Sequence, residues 1–177
     1  FRFFLVDDDR IVNLISWHRV QDDKEMGAAL RQIRDAGLIP EDQVRLCAVA
    51  DGAPWIWTWV EELFPTARQI LDFYHCSSYL HAVAEAQYGT DSLKTTQWLE
   101  ATMTRLFCDE GAGVVWGLQR MKPTCSEAEE VIDQALTYLT PRLEQMAYGS
   151  HRKGGYPIGS GGIESANRKT VFTVTWP

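Results

Sequence analysis

"VRLCAVADGAPWIWTWVEELFPTARQILDFYH", Val44 to His75, is the stretch on which the fold turns. Its first seven residues, Val44 to Ala50, form a short apolar run that predicts a buried strand. The run stops at Asp51-Gly52-Ala53-Pro54, where Pro54 suits the first turn of a helix whose inner face would be Ile56, Trp59, Val60 and Leu63. After Phe64-Pro65, "RQILDFYH", Arg68 to His75, reads as a second strand. A helix follows with Leu80, Val83, Ala84 and Tyr88 inward and Gly89 as its stop.

Upstream, "FRFFLV" (Phe1 to Val6) and "RIVNLIS" (Arg10 to Ser16) are rich in β-formers and flank Asp7-Asp8-Asp9, the pattern of an antiparallel hairpin with an acidic turn. From Asp22 to Ala36, Met26, Ala29, Leu30 and Ile33 recur at helical spacing, with Asp22 and Asp23 at the start and Gly37 at the stop. Downstream, Ser92 to Tyr148 reads as helical throughout. Leu99, Met103 and Leu106 mark one helix, and Val114, Val115 and Leu118 a second. A third opens with Ser126 and Glu129 as a capping box and carries Ile132, Ala135, Leu136, Leu139, Leu143 and Met146 inward, with a kink at Pro141. A hairpin feeding alternating helices and strands, then an all-helical block, predicts an α/β sheet domain with a helical insertion.

The 177 residues, 45% hydrophobic, suffice for one sizeable core. No stretch approaches the roughly 20 apolar residues of a membrane span, and Phe1-Arg2-Phe3-Phe4 lacks the layout of a secretory signal. Cys47, Cys76, Cys108 and Cys125 show neither a C-x-x-C pair nor zinc-ligand spacing, which predicts reduced thiols in a cytoplasmic protein. A net charge of −7 argues against a chain that grips nucleic acid over its whole surface and leaves room for a local basic patch. The absence of an initial Met and the stop at Trp176-Pro177 read as cuts through a longer protein.

Three places carry candidate chemistry. Asp51 lies just past a predicted buried strand, where ligands of open α/β sheets bind; it equally suits a helix start, stabilised by the dipole and local amides. Asp72 and His75 stand three apart. They share a face if a helix begins at Phe73 and oppose each other if the strand continues, and a hydrogen-bonded structural histidine is the plain alternative to a ligand or base. Glu164 follows Gly159-Ser160-Gly161-Gly162, a loop without P-loop spacing, and His151, Arg152, Lys153, Arg168 and Lys169 bracket it. Asp51 and Glu164, if the fold brings them together, offer the oxygen ligands that Mg²⁺ or Mn²⁺ takes while keeping several waters. On a phosphodiester, such ions activate the attacking oxygen and stabilise the leaving one, and the flanking Arg and Lys would hold backbone phosphates. Trp55, Trp57 and Trp59 have the chemistry to stack bases, although Trp59, on the inward face, reads as packing.

The blocks "VADGAPWIW", "ELFPTARQILDFYHCSSYLHAVA", "WGLQRMKP" and "KGGYPIGSGGIESANR" occur in this order from about Arg31 to Arg168. In them the chain resembles insertion-sequence transposases of the ISKra4 type, which have an RNase H-like DDE core, with a more distant likeness to the IS256 and MULE groups. The resemblance implies an RNase H-like mixed sheet flanked by helices, with an all-α insertion domain before the glutamate helix: core over 1–90 with its first strand missing, helical insertion over 91–150, and return loop and start of the glutamate helix over 151–177. It makes Asp51 the second catalytic aspartate and Glu164 the catalytic glutamate, both on the metal, with Asp72 and His75 a supporting signature. Arg152, Lys153, Arg168 and Lys169 would contact DNA phosphates.

The implied activity of the intact parent is Mg²⁺-dependent cleavage and transfer of DNA strands, with DNA and further copies of the chain as partners and no membrane. Two departures stand out. The family's first aspartate lies upstream of the hairpin, and Asp7, Asp8 and Asp9 sit in a predicted turn, so the chain alone is expected not to cleave DNA. "TVFTVTWP" disfavours the helix with which the family continues. A noncatalytic RNase H-like binding or assembly module and a metal-dependent nuclease or phosphatase are the competing expectations.

Overall fold

A computed structural model describes residues 2–7, 10–16, 22–39, 44–159 and 171–175, of which 2–7, 10–16 and 171–175 are described by their backbone. The elements run β1 (Arg2–Asp7), β2 (Arg10–Ser16), α1 (Asp23–Asp35), β3 (Arg45–Ala50), α2 (Pro54–Leu63), β4 (Arg68–Leu71), α3 (Phe73–Tyr88), α4 (Leu93–Phe107), α5 (Gly111–Gln119), α6 (Ser126–Leu139), a 3-10 segment (Thr140–Met146), α7 (Tyr148–Lys153) and β5 (Val171–Thr175). The protein is mixed α/β. It divides into two compact units, Phe1–Asp72 with Gly155–Pro177, and Phe73–Gly154. α3, counted with the core in the expected 1–90 division, groups with the helices that follow it.

The first unit holds one sheet of order β2-β1-β5-β3-β4. β1 and β2 form the expected antiparallel hairpin, closing at the pair Asp7 and Arg10. β3 and β4 are parallel, joined through α2, with Cys47 opposite Arg68 and Ala50 opposite Leu71. β5 lies between the two pairs, parallel to β1 and antiparallel to β3. Its residues are the β-branched tail that disfavours helix.

Local chemistry fixes the helices of this unit. Asp22 caps α1 by accepting the Glu25 N–H at 2.8 Å, and Gly37 takes the left-handed conformation (φ 65°) after the last turn. Met26, Ala29, Leu30 and Ile33 are buried as expected, against Leu46, Ala48 and Ala50 of β3 and Ile56, Trp57, Val60 and Leu63 of α2. The inward tryptophan is thus Trp57, not Trp59. Trp59 is half-buried beside this core, with the Arg31 guanidinium 5.4 Å from its ring centre. Gly27 makes that possible, because a Cβ there would overlap the Trp59 indole.

The second unit is helical. Ser92 caps α4 by accepting the Thr95 N–H at 3.1 Å. α6 begins one residue before the expected capping box: Cys125 is the cap, and its Sγ accepts the Ala128 N–H at 3.5 Å. At Pro141 the helix gives way to the 3-10 segment, with Arg142 out of helical geometry at φ −120°, since proline lacks the amide that the α ladder needs. Ile132, Ala135, Leu139 and Met146 are fully or nearly fully buried. Tyr148, also buried, meets Phe73 edge-on at 5.3 Å, and Phe73 stacks on Phe107 at 4.9 Å. No described helix is long and apolar enough to cross a membrane, and the four cysteines are not joined in disulfides.

Candidate functional site at the carboxyl ends of the parallel strands

β3 delivers Asp51 to the carboxyl edge of the sheet. Its side chain is half-buried and accepts the Ala53 N–H on Oδ1 at 3.1 Å, which closes a small turn. Gly52 supplies the φ of 83° that the turn requires, and Pro54 then starts α2 with φ already set for a helix. Ala53, at the cap position, gives no side-chain hydrogen bond to the helix. Asp51 thereby ties down the turn that leads into α2.

β4 is shorter than expected. It stops at Leu71 and α3 starts at Phe73, so His75 is a residue of a first helical turn and not of a strand. Asp72 continues the pairing of the parallel strands: its N–H donates to the Ala50 carbonyl at 2.7 Å. Since Ala50 pairs with Leu71, the next residues along, Asp51 and Asp72, stand side by side at the ends of neighbouring strands. Asp72 is only 7% exposed. This neighbourhood of two carboxylates was not legible in the sequence, where Asp72 reads as a partner of His75, because strand register is not a local property.

His75 belongs to the helical unit. Its ring is half-buried and meets Tyr79 and Tyr138 edge-on, at 5.7 and 5.5 Å between centres. Arg152 and Lys153 are exposed on the last turn of α7, where cations favour the helix dipole, and the Arg152 guanidinium lies 5.3 Å from the Phe107 ring centre. Glu164, Arg168 and Lys169 lie outside the described residues, as do Asp8, Asp9 and the start of the expected glutamate helix.

What leads towards Glu164 is described as far as Gly159. Tyr156 has two guanidinium groups over its ring, Arg45 at 5.3 Å and Arg68 at 6.0 Å, and these open β3 and β4 respectively. Gly155, at φ 76°, brings the chain in close enough that a Cβ would sit 3.4 Å from Arg45 Nη2. The return segment is moored at the amino ends of the same two strands whose carboxyl ends carry Asp51 and Asp72.

Oxygen donors of this kind suit Mg²⁺ or Mn²⁺, which bind through one or two carboxylates and otherwise keep water. Asp51 and Asp72 fit that demand as a partial set. Among the described residues no group of three His, Cys, Asp or Glu side chains converges on one point. No protein-family description matches the chain, and no curated protein or solved structure does so either.

Proposed function

We propose that the chain is an RNase H-like core of a DDE transposase, with Asp51 and Glu164 as its metal-binding carboxylates. The observation that carries this reading is the placement of Asp51, the residue that the family resemblance makes catalytic. It sits at the carboxyl end of a parallel strand, in a glycine turn, at the strand end next to that of buried Asp72. Open α/β sheets bind ligands at that edge. A hairpin and a parallel βαβ pair in one sheet, with a helical unit between Asp72 and Gly155 in the chain, also agree with a core interrupted by a helical insertion.

A divalent ion at this edge would supply charge to a phosphoryl group and lower the pKa of a bound water. The residues of the chain do the rest. Asp51 would contribute a carboxylate to the ion from the end of β3. Asp72 adds negative charge at the same edge. Arg152 and Lys153 offer donors to a DNA backbone.

Mn²⁺ titration of the 177-residue protein, followed by calorimetry and by the electron-spin signal of the free ion, tests the reading. Saturable binding is expected, weakened about tenfold or more in Asp51→Ala, as loss of one of few protein ligands implies, and likewise in Glu164→Ala. Binding unchanged by Asp51→Ala refutes the metal site, and the absence of binding favours a noncatalytic binding or assembly module of the same architecture.

A further inference from the structure

A groove of about 720 Å³ runs along the helical unit, lined by Tyr79 of α3, by Glu130, Asp133, Thr137 and Tyr138 of α6, and by Arg142 of the 3-10 segment. Glu130, Asp133 and Thr137 are exposed and recur at i, i+3 and i+7, one face of the helix. Such a face is ordinarily only solvated. This one confronts an aromatic wall: Tyr79 and Tyr138 are stacked, 4.1 Å between centres and 11° from parallel.

The wall already lodges a guanidinium. Arg142 lies 4.4 Å from the centre of the Tyr138 ring and donates from Nη1 to the Tyr138 carbonyl. The same groove carries the carboxylates of Glu130 and Asp133. Glu130 accepts from Gln134 Nε2 at 3.3 Å, and neither Glu130 nor Asp133 forms an ion pair among the described residues. A nucleic-acid backbone entering here would meet two carboxylates. An arginine side chain would meet a forked acceptor in either carboxylate and the Tyr79 ring, since Tyr138 already carries Tyr79 and Arg142 on its two faces.

The geometry sets the form of the partner as well. Glu130 and Asp133 are about 4.5 Å apart along the helix axis at 1.5 Å per residue. Same-side residues of an extended chain repeat about every 6.6 Å, a difference that flexible side chains absorb. The volume is that of an ordinary ligand site. We infer that this groove binds an extended peptide segment carrying arginines at alternate positions. The inference rests on the helical unit alone and is independent of the metal site.

Calorimetry of the full 177-residue chain with acetyl-Arg-Gly-Arg-Gly-Arg-amide tests it, beside the same peptide with Gln for Arg and a 15-residue oligothymidylate. The arginine peptide should bind about tenfold or more tightly than the glutamine peptide, or 1.4 kcal/mol, and should weaken with added salt. Glu130→Gln/Asp133→Asn should lower its affinity about tenfold. Glu127→Gln/Glu129→Gln, on the same helix but off the groove, should leave it within about twofold, because exposed charges outside a contact contribute little. All four substitutions are at exposed side chains, so unchanged circular dichroism is the expected control. Equal affinity for the two peptides, equal losses in the two double variants, or tighter binding of the oligothymidylate overturns the inference.

Discussion

Gly149 tests how α7 is seated. It is buried in the first turn of α7, and a Cβ there would fall inside contact distance of the Phe107 carbonyl and 3.1 Å from Asp109 Oδ1. The backbone oxygen at the end of α4 cannot rotate aside as a side chain would. Gly149→Ala must therefore lift α7 from α4. That strains the two hydrogen bonds Asp109 accepts, from the Ser150 N–H at 3.0 Å and the Ser150 hydroxyl at 2.6 Å, and loosens buried Tyr148 beside Phe73. Overpacking costs about 1–3 kcal/mol, and each weakened hydrogen bond at an exposed carboxylate about 0.5–1 kcal/mol. Alanine returns at most about 1 kcal/mol through helix propensity, and less in a short helix. The expected net loss is about 1–5 kcal/mol. Urea unfolding followed by circular dichroism should show it as a lower midpoint at unchanged slope. A variant within about 0.5 kcal/mol of the parent, the range of an ordinary surface change, would refute the close approach of α7 to α4.

Two further outcomes follow from caps and charges. Cys125→Ser should stabilise α6 by about 0.5–1 kcal/mol, read by thermal or urea unfolding, because a hydroxyl is a better N-cap acceptor than the Sγ now 3.5 Å from the Ala128 amide. Asp109 has its pKa held below the ordinary 3.8 by the Ser150 hydroxyl first, then by backbone amides and Lys153, against some desolvation. A carboxylate lowered in the folded state contributes stability that is complete above about 3.8 and is lost as pH falls from there through the folded value. The pH dependence of unfolding below pH 4 should thus flatten in Ser150→Ala, and an unchanged acid limb would rule out this hydrogen bond as its cause.

Elements set by near neighbours were legible in the sequence. α1 shows Asp22 before and Gly37 after a clean apolar stripe, and its limits agree within a residue. Pairing at a distance left no such trace. Trp57 and Trp59 both satisfy a helical period after Pro54, and the room that Gly27, on another helix, leaves for the Trp59 indole has no trace in the sequence of α2. Ser126 and Glu129 have the right spacing for a capping box, yet Cys125 begins the helix one residue sooner. Asp51 was legible as the end of a strand because a glycine turn follows it. That Asp72 is its neighbour depends on the register of β3 against β4, which no local pattern encodes.

The order of the sheet also sets a timetable. β1 and β2 leave the ribosome first and β3 and β4 follow, but neither pair touches the other except through β5. Arg2 must wait for Val171, and Arg45 for Thr175. Until residue 175 emerges, two half-sheets exist with open edges, the condition in which nascent chains pair with the wrong partner. Contacts of such long sequence separation are also the slow ones to form. The middle of this sheet is the last part of it that can close, and until then the inner edges of β1 and β3 have no partner strand.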